Sequence, residues 1–343
     1  MSEFKSDSPS EPAITLPTQL APTEPSTLHR IFYGADGLRA GWSLLIFMAL
    51  LAAILFAVHL ISHSLNPHPH RDKTPGLSFL FLNDGIPLLV TLLVTWIMSK
   101  IERRPNSIYG LGGRHKVSHF FSGLVWGVIF LSLLVAILWK TGLLVIGGRL
   151  LFGSNALLQG AAWLVGFLLV GLLEEYLTRG YLLYTLARGT AGIYRWLFKT
   201  RHSAALGFWT AAIILSFLFG LGHGKNPGES PLGLLSAGLA SLVFCLSLWR
   251  TGSLWWAIGL HASWDWSQSF LYGVADSGTM IKSHLLSTHP VGKPILSGGA
   301  TGPEGSVYCL LVLAPIAIVI LVTLPRSVYP LPHHPMPPER IEA

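Results

Sequence analysis

Charge is scarce in this chain. Only 11% of its residues are Asp, Glu, Lys or Arg, where a soluble globular chain carries about 25%. With 51% hydrophobic residues, that scarcity excludes an ordinary water-soluble domain and points to a multi-span membrane protein. Cysteine is scarcer still. Cys245 and Cys309 are the only two, and both lie in apolar runs, which argues against a disulfide framework or a zinc ribbon. No His-Glu-x-x-His pattern is present, so the two-histidine zinc helix is missing. No internal repeat, inverted or direct, is found of the kind that builds many transporters and solenoids. No secretory pattern opens the chain, because the first apolar run comes late and is long. The net charge of +7 fits basic cytoplasmic loops, and no nucleic-acid partner is expected.

Long apolar runs are what the chain does have. Eight are long enough, or nearly so, for a span of about 20 residues: 42–61, 78–98, 119–139, 157–187, 204–222, 232–249, 253–272 and 306–324. The expected fold class is therefore all-α, a polytopic membrane protein of about eight transmembrane helices. The second run contains Asn83-Asp84-Gly85 and Pro87, which predicts a break or kink. The fourth is too long for a simple span, so it either projects beyond the bilayer or includes a re-entrant turn. Gly123 and Gly127 form a small-residue pair that lets helices approach closely. Twelve Trp suit interfacial belts.

Basic residues set the orientation. With the N-terminus inside, 15 Lys and Arg fall on inner segments and 7 on outer ones. That asymmetry predicts a multi-pass cell-membrane protein in contact with the lipid bilayer, both termini cytoplasmic. Residues 1–40 read as a disordered cytoplasmic tail, most clearly over 1–28, which are rich in Ser, Pro, Thr and Glu. Residues 41–118 hold the first helices and a basic loop, and 119–272 the core. Residues 273–343 hold an outer loop, a last helix and a Pro/His-rich tail. His59, His63, His68 and His70 are expected in an ordinary polar loop, since their spacing is irregular and Pro67 and Pro69 interrupt it.

The stretch Gly171-Leu-Leu-Glu-Glu-Tyr-Leu-Thr-Arg-Gly180 breaks the apolar rule inside the fourth run. Each charge at the centre of a membrane helix costs roughly 2.5–3.5 kcal/mol, so three cost on the order of 8–10 kcal/mol. The ten Leu, Val and Phe residues from Leu157 to Leu173 return only about 3–6 kcal/mol on the same scale. This helix is poorly suited to face lipid all round, and its charges belong against other helices or a wet cavity. Glu175 and Arg179 are four apart, acid first, which favours an ion pair on one helix face. Such a pair serves packing or a site equally well. Glu174 is rotated by one residue and has no partner at that spacing, which suits a carboxylate that exchanges protons.

Two histidines sit on later spans. The fifth run ends Phe219-Gly-Leu-Gly-His223, and the seventh reads Leu260-His-Ala-Ser-Trp-Asp-Trp266. His261 and Asp265 share a helix face, so the carboxylate either fixes the histidine tautomer or joins it in a cavity. Glu174 lies about 20 Å along its helix from the basic loop at Arg188, and His261 about 15 Å from Arg250. Glu174, His223, His261 and Asp265 therefore reach comparable depths, where together they can deprotonate a water and stabilise an oxyanion.

The pattern Glu174-Glu175-x-x-x-Arg179, Phe219-x-x-x-His223, His261-x-x-x-Asp265 resembles the three motifs of the CPBP family. These are the type II CAAX prenyl endopeptidases and the bacteriocin-processing or self-immunity membrane proteins, also called the Abi family. The resemblance covers about 119–272, with Arg104-Pro-Asn-Ser-Ile-Tyr-Gly-Leu111 similar to its lead-in. It implies a membrane-embedded endopeptidase acting on a peptide or membrane-protein substrate. In that reading Glu174 and His223 hold and activate the water, and His261 and Asp265 stabilise the oxyanion. Glu175 and Arg179 position the base. The last motif position, often Asn in the family, is Asp265 here. Zinc is implied by the resemblance alone; two His and one Glu match an open zinc site, and a metal-free glutamate mechanism fits the same residues. A non-catalytic immunity or scaffold protein is the alternative, ahead of a proton-coupled transporter.

Overall fold

The computed structural model describes residues 26–34, 36–65, 76–326 and 329. Within them, all eight apolar runs are helices. They are α1 (Ala40–Leu65), α2 (Leu77–Ile101), α3 (Lys116–Lys140), α4 (Gly153–Phe198), α5 (Ser203–Gly222), α6 (Pro231–Thr251), α7 (Trp255–Trp266) and α8 (Val307–Thr323). Among the described residues six, α1 to α6, are long and apolar enough to cross a membrane, and α8 is a shorter apolar helix. Helix α7 is central: nine of its twelve residues are buried, so it has almost no face left for lipid.

Local chemistry sets the helix ends. Ser230 caps α6 by accepting the Gly233 N–H at 3.1 Å, with Pro231 at the first position, where a missing N–H costs nothing. Gly252, at φ 66°, ends the helix in the left-handed conformation, and its N–H donates to the Leu248 carbonyl at 2.8 Å. Close packing joins α3 to α7. A Cβ on Gly123 would run into the Trp256 carbonyl, and one on Gly127 into Ser263 and the Leu260 carbonyl. Small residues let these backbones touch, and the expected glycine pair does this.

The fourth run is one continuous helix of 46 residues. At 1.5 Å per residue that is about 69 Å, more than twice a hydrocarbon core of about 30 Å. It projects well past a bilayer and has no re-entrant turn. Its wider diameter at Tyr176–Leu182, a π-helical turn, has two counterparts: Phe81–Gly85 within α2, and Ser267–Tyr272 continuing α7. The kink expected near Asn83 takes this form. The Asn83 side chain donates to the Phe79 carbonyl at 2.9 Å. Such turns are rare and concentrate at functional sites.

One end of the bundle is covered by folded loops. Strand β1 (Leu144–Arg149) pairs antiparallel with β2 (Leu286–Pro290), Leu144 opposite Pro290, with an irregularity between Ile146 and Arg149. This ties the loop after α3 to the long segment before α8. The opposite end of α4 carries a polar network. Tyr181 and Tyr109 donate to Glu102 at 3.0 and 3.2 Å, and Arg104 and Arg188 approach the same carboxylate at 3.7 and 3.9 Å. Arg188 also donates to the Leu38 carbonyl (2.7 Å) and to Ser43 Oγ (3.1 Å).

The histidine loop expectation needs correction. His59 and His63 are on exposed turns of α1, their rings 6.3 Å apart, because the helix runs to Leu65. His68 and His70 lie outside the described residues, as do residues 1–25 of the N-terminal tail and the Pro/His-rich tail from 330. Cys245 and Cys309 are free and buried.

Candidate active site

The site begins where α4 widens. Glu174 and Glu175 close its α-helical stretch and Arg179 lies in the π turn that follows. Arg179 Nη1 donates to Glu175 Oε1 at 2.8 Å, with the residues 1% and 0% exposed. The same Oε1 accepts from His261 Nδ1 at 2.9 Å. One carboxylate oxygen thus ties α4 to α7. Two phenyl rings hold the guanidinium: it sits 4.1 Å over Phe219 and 5.4 Å over Phe244, a cation–π arrangement worth more once desolvated. Phe219 in turn contacts the His223 ring at 4.8 Å, and Phe244 stacks on His261 at 5.3 Å. Arg179 is the hub that sets both histidine rings.

Hydrogen bonds fix the histidine faces. His223 Nδ1 lies 2.8 Å from the Phe219 carbonyl. A carbonyl only accepts, so Nδ1 carries the hydrogen and Nε2 of the neutral ring keeps its lone pair. His261 Nδ1–H donates to Glu175, which leaves Nε2 facing Glu174 Oε2 at 3.7 Å and Asp265 Oδ2 at 3.5 Å. These are beyond good hydrogen-bond length but within charge attraction. The carboxylate that orients His261 is therefore Glu175, not Asp265. Glu175 is 86 residues away in sequence, so helix spacing gives no sign of it. Glu174 has no ion-pair partner on its own helix among the described residues. Its side chain is 30% exposed.

A cavity of about 270 Å³ collects the motifs. Glu174, His223, His261 and Asp265 line it; Glu175 and Arg179 stand behind the wall. Sequence reasoning missed other lining groups, among them Asp84, Ser236, Asp276 and Glu304. Asp84 carries a signal, an ionisable side chain inside an apolar run, although its Asn-Asp-Gly setting reads as a helix break. Asp276 and Glu304 lie in the covering loops and carry none. The loop hydrogen bonds hold them in place: Ser269 Oγ donates to Asp276 at 3.2 Å, and Ser277 donates to Glu304 through both N–H and Oγ.

The donor set does not fit a zinc ion. Among the described residues no group of three or more His, Cys, Asp or Glu is arranged to hold a metal. The Nδ1 atoms of His261 and His223 are taken up by Glu175 and a carbonyl, which leaves Nε2 of each ring free, but without a third donor arranged beside them for a metal.

Residues 156–267, about a third of the chain, match the family model described as Type II CAAX prenyl endopeptidase Rce1-like. That segment is similar to the core of Rce1-like proteases. It spans α4 to the end of α7, so it contains all three motifs and the site they build. The protein is a multi-pass membrane protein, and its 156–267 segment is similar to CAAX-type peptide hydrolases. Comparison with curated proteins and with solved structures gave no match.

Proposed function

We propose that this protein hydrolyses peptide bonds inside the membrane with a water activated by Glu174 and His223. The Rce1-like core supports peptide hydrolysis as the reaction class. The observation that supports the mechanism is the shared cavity, lined by the Glu174 carboxylate and by two imidazoles whose Nδ1 atoms are held and whose Nε2 atoms are free. Glu174 takes a proton from water as its oxygen attacks the carbonyl carbon. His223 Nε2 accepts the water's other hydrogen bond and aims the lone pair. His261, held through Nδ1 by Glu175, donates from Nε2 to the oxyanion. Asp265 attracts and steadies that imidazolium. Glu174 then passes its proton to the leaving nitrogen, the C–N bond breaks, and a carboxylate and an amine leave. No step uses a metal.

The basic residues near Arg104, Arg188 and Arg195 lie at the end of the bundle away from Asn226, Asp276 and Glu304. By the positive-inside rule that end and both termini face the cytoplasm. Reporter fusions after Arg201 and after Lys293 should then report cytoplasm and outside respectively; one side for both would sink this topology. For the chemistry, purified protein is incubated with a peptide library, with and without a chelator. Cleavage unaffected by chelator is expected. Cleavage lost on chelation would overturn the metal-free mechanism, and no cleavage at all would favour an immunity or scaffold role.

A further inference from the structure

Apart from the Cys309 thiol, the ionisable groups that line the cavity are carboxyls and imidazoles. The five carboxylates are Asp84 from α2, Glu174 from α4, Asp265 from α7, and Asp276 and Glu304 from the covering loops. Among the described residues no lysine or arginine lines the cavity. The one nearby guanidinium, Arg179, is bonded to Glu175 and screened by Phe219 and Phe244. Asp84, Asp276 and Glu304 lie outside the Rce1-like segment, so they are what this chain adds to the core.

A second observation points to a ligand. Ser236, 2% exposed, lines the same cavity, and its Oγ makes no well-formed hydrogen bond among the described residues, with the Cys309 thiol, a weak partner, beside it. Buried hydroxyls normally find one. The rest of the lining is largely apolar, with Phe167, Val170, Val243 and Leu313 among it. A peptide that ends on a free carboxylate, as a CAAX peptide does, would bring a negative charge among five carboxylates, where the His261 imidazole already faces Glu174 and Asp265. A metal ion is not favoured either, since among the described residues no three donors are arranged to hold one. An organic cation suits carboxylates spread over a wall, because its several N–H donors reach outward and charge-assisted hydrogen bonds are the strong ones. Burial, with Asp265 and Glu304 beside it, also holds the Asp276 carboxyl well above the usual carboxylate range; a bound cation relieves that repulsion.

We propose that the acidic wall formed by Asp84, Asp265, Asp276 and Glu304, with Ser236, is a subsite for a cationic group carried by an otherwise apolar peptide. The substrate class is then an apolar segment bearing an ammonium or guanidinium, not a peptide whose terminal carboxylate enters this cavity. This rests on the proteolytic reading for the identity of the ligand as a peptide.

The test uses the full chain in detergent micelles and ten-residue fluorescent peptides of Ala, Leu and Phe. Blocked at both ends, they differ in one central residue: Lys, Arg, Gln or Glu. A further Gln peptide keeps its free α-amine, which separates a side-chain ammonium from a terminal one. Binding is read by anisotropy, and cleavage of the same samples by mass spectrometry. The Lys or Arg peptide, or the free-amine Gln peptide, should bind at least tenfold more tightly than blocked Gln, with Glu weakest. Asp276→Asn and Glu304→Gln should each lower the cation-to-Gln ratio at least threefold. Equal binding of all blocked peptides with no gain from the free amine, or tightest binding of Glu, overturns the subsite even if no variant folds. Cation preference without cleavage removes the protease reading and keeps the subsite; cleavage without preference does the reverse.

Discussion

Helix α4 carries charge into buried surroundings twice, and the two places differ in how that charge is satisfied. Around Glu102 and Arg188, two tyrosine hydroxyls, two guanidiniums, a carbonyl and a serine converge, and both Glu102 oxygens accept hydrogen bonds. Around Glu175 and Arg179, one oxygen takes two donors, while Glu175 Oε2 and Arg179 Nε and Nη2 make no well-formed hydrogen bond among the described residues, with the Cys245 thiol, a weak partner, beside the guanidinium. The Glu102 end still leaves Arg104 Nε and Arg188 Nε without a hydrogen bond among the described residues, Arg104 Nε being 3.7 Å from Glu102, so the contrast is of degree. Buried charge alone does not mark a site. Under-satisfied charge beside a cavity does, because a network with open valences keeps capacity for a reacting group.

The largest break of this contrast is Glu175→Gln. It strands Arg179, and removing one partner of a buried pair costs about 3–5 kcal/mol. It also releases His261 Nδ1. Unfolding in detergent and turnover should both collapse; unchanged thermal stability would mean that the phenyl rings alone hold the guanidinium.

Glu174→Gln should separate the two quantities. Gln keeps shape and hydrogen-bond capacity in a group that is 30% exposed, so the melting temperature should stay near the parent. Turnover should fall by at least roughly 100-fold, as expected for lost general-base help. Near-parental turnover would remove Glu174 from the chemistry. Glu102→Gln should show the converse. It weakens charged hydrogen bonds worth about 1.5–3 kcal/mol each, lowering stability, while turnover of the folded fraction stays within about threefold. A loss of turnover as large as that of Glu174→Gln would erase the distinction between the two ends of α4.

The spans are legible in the amino-acid sequence because a backbone in lipid must satisfy itself, which forces long apolar helices. The Glu175–Arg179 spacing and the close packing through Gly123 and Gly127 are local properties of one helix surface, so they too can be read there. What the sequence does not carry is contact between segments far apart. His261 finds Glu175 from another helix, and Phe244 joins the site from α6 with no motif around it. The π turns leave no residue signature either. Nothing in Tyr176–Leu182 distinguishes it from ordinary helix, yet that turn carries Arg179 toward Phe219. Gly180 fits there against the Tyr109 carbonyl, 2.9 Å from where a Cβ would stand, so the turn is held from the Glu102 side.

The smallest expected effect tests how the loop end differs electrostatically from the Glu102 end. Glu102 faces two arginines, whereas Asp276 faces the carboxylates of Asp265 and Glu304, with the Ser269 hydroxyl the donor that eases its charge. Burial first, and those carboxylates next, raise Asp276 well above the ordinary Asp value of about 3.9. An acid whose folded pKa is raised binds more protons in the folded than in the unfolded state, so its contribution is present at low pH. It is lost as pH rises through the folded pKa. Stability in detergent should therefore decline from about pH 4 upward as this carboxyl is forced to ionise. Glu229, raised by burial with Glu304 nearby, adds a decline of the same sign that survives removal of Asp276. Asp276→Asn should thus flatten the slope of melting temperature against pH without abolishing it, by about 2 °C across the range, the size that 1 kcal/mol produces in a large domain. A variant whose slope matches the parent, or steepens, would mean that Asp276 ionises freely, and that the acids over the cavity do not repel one another.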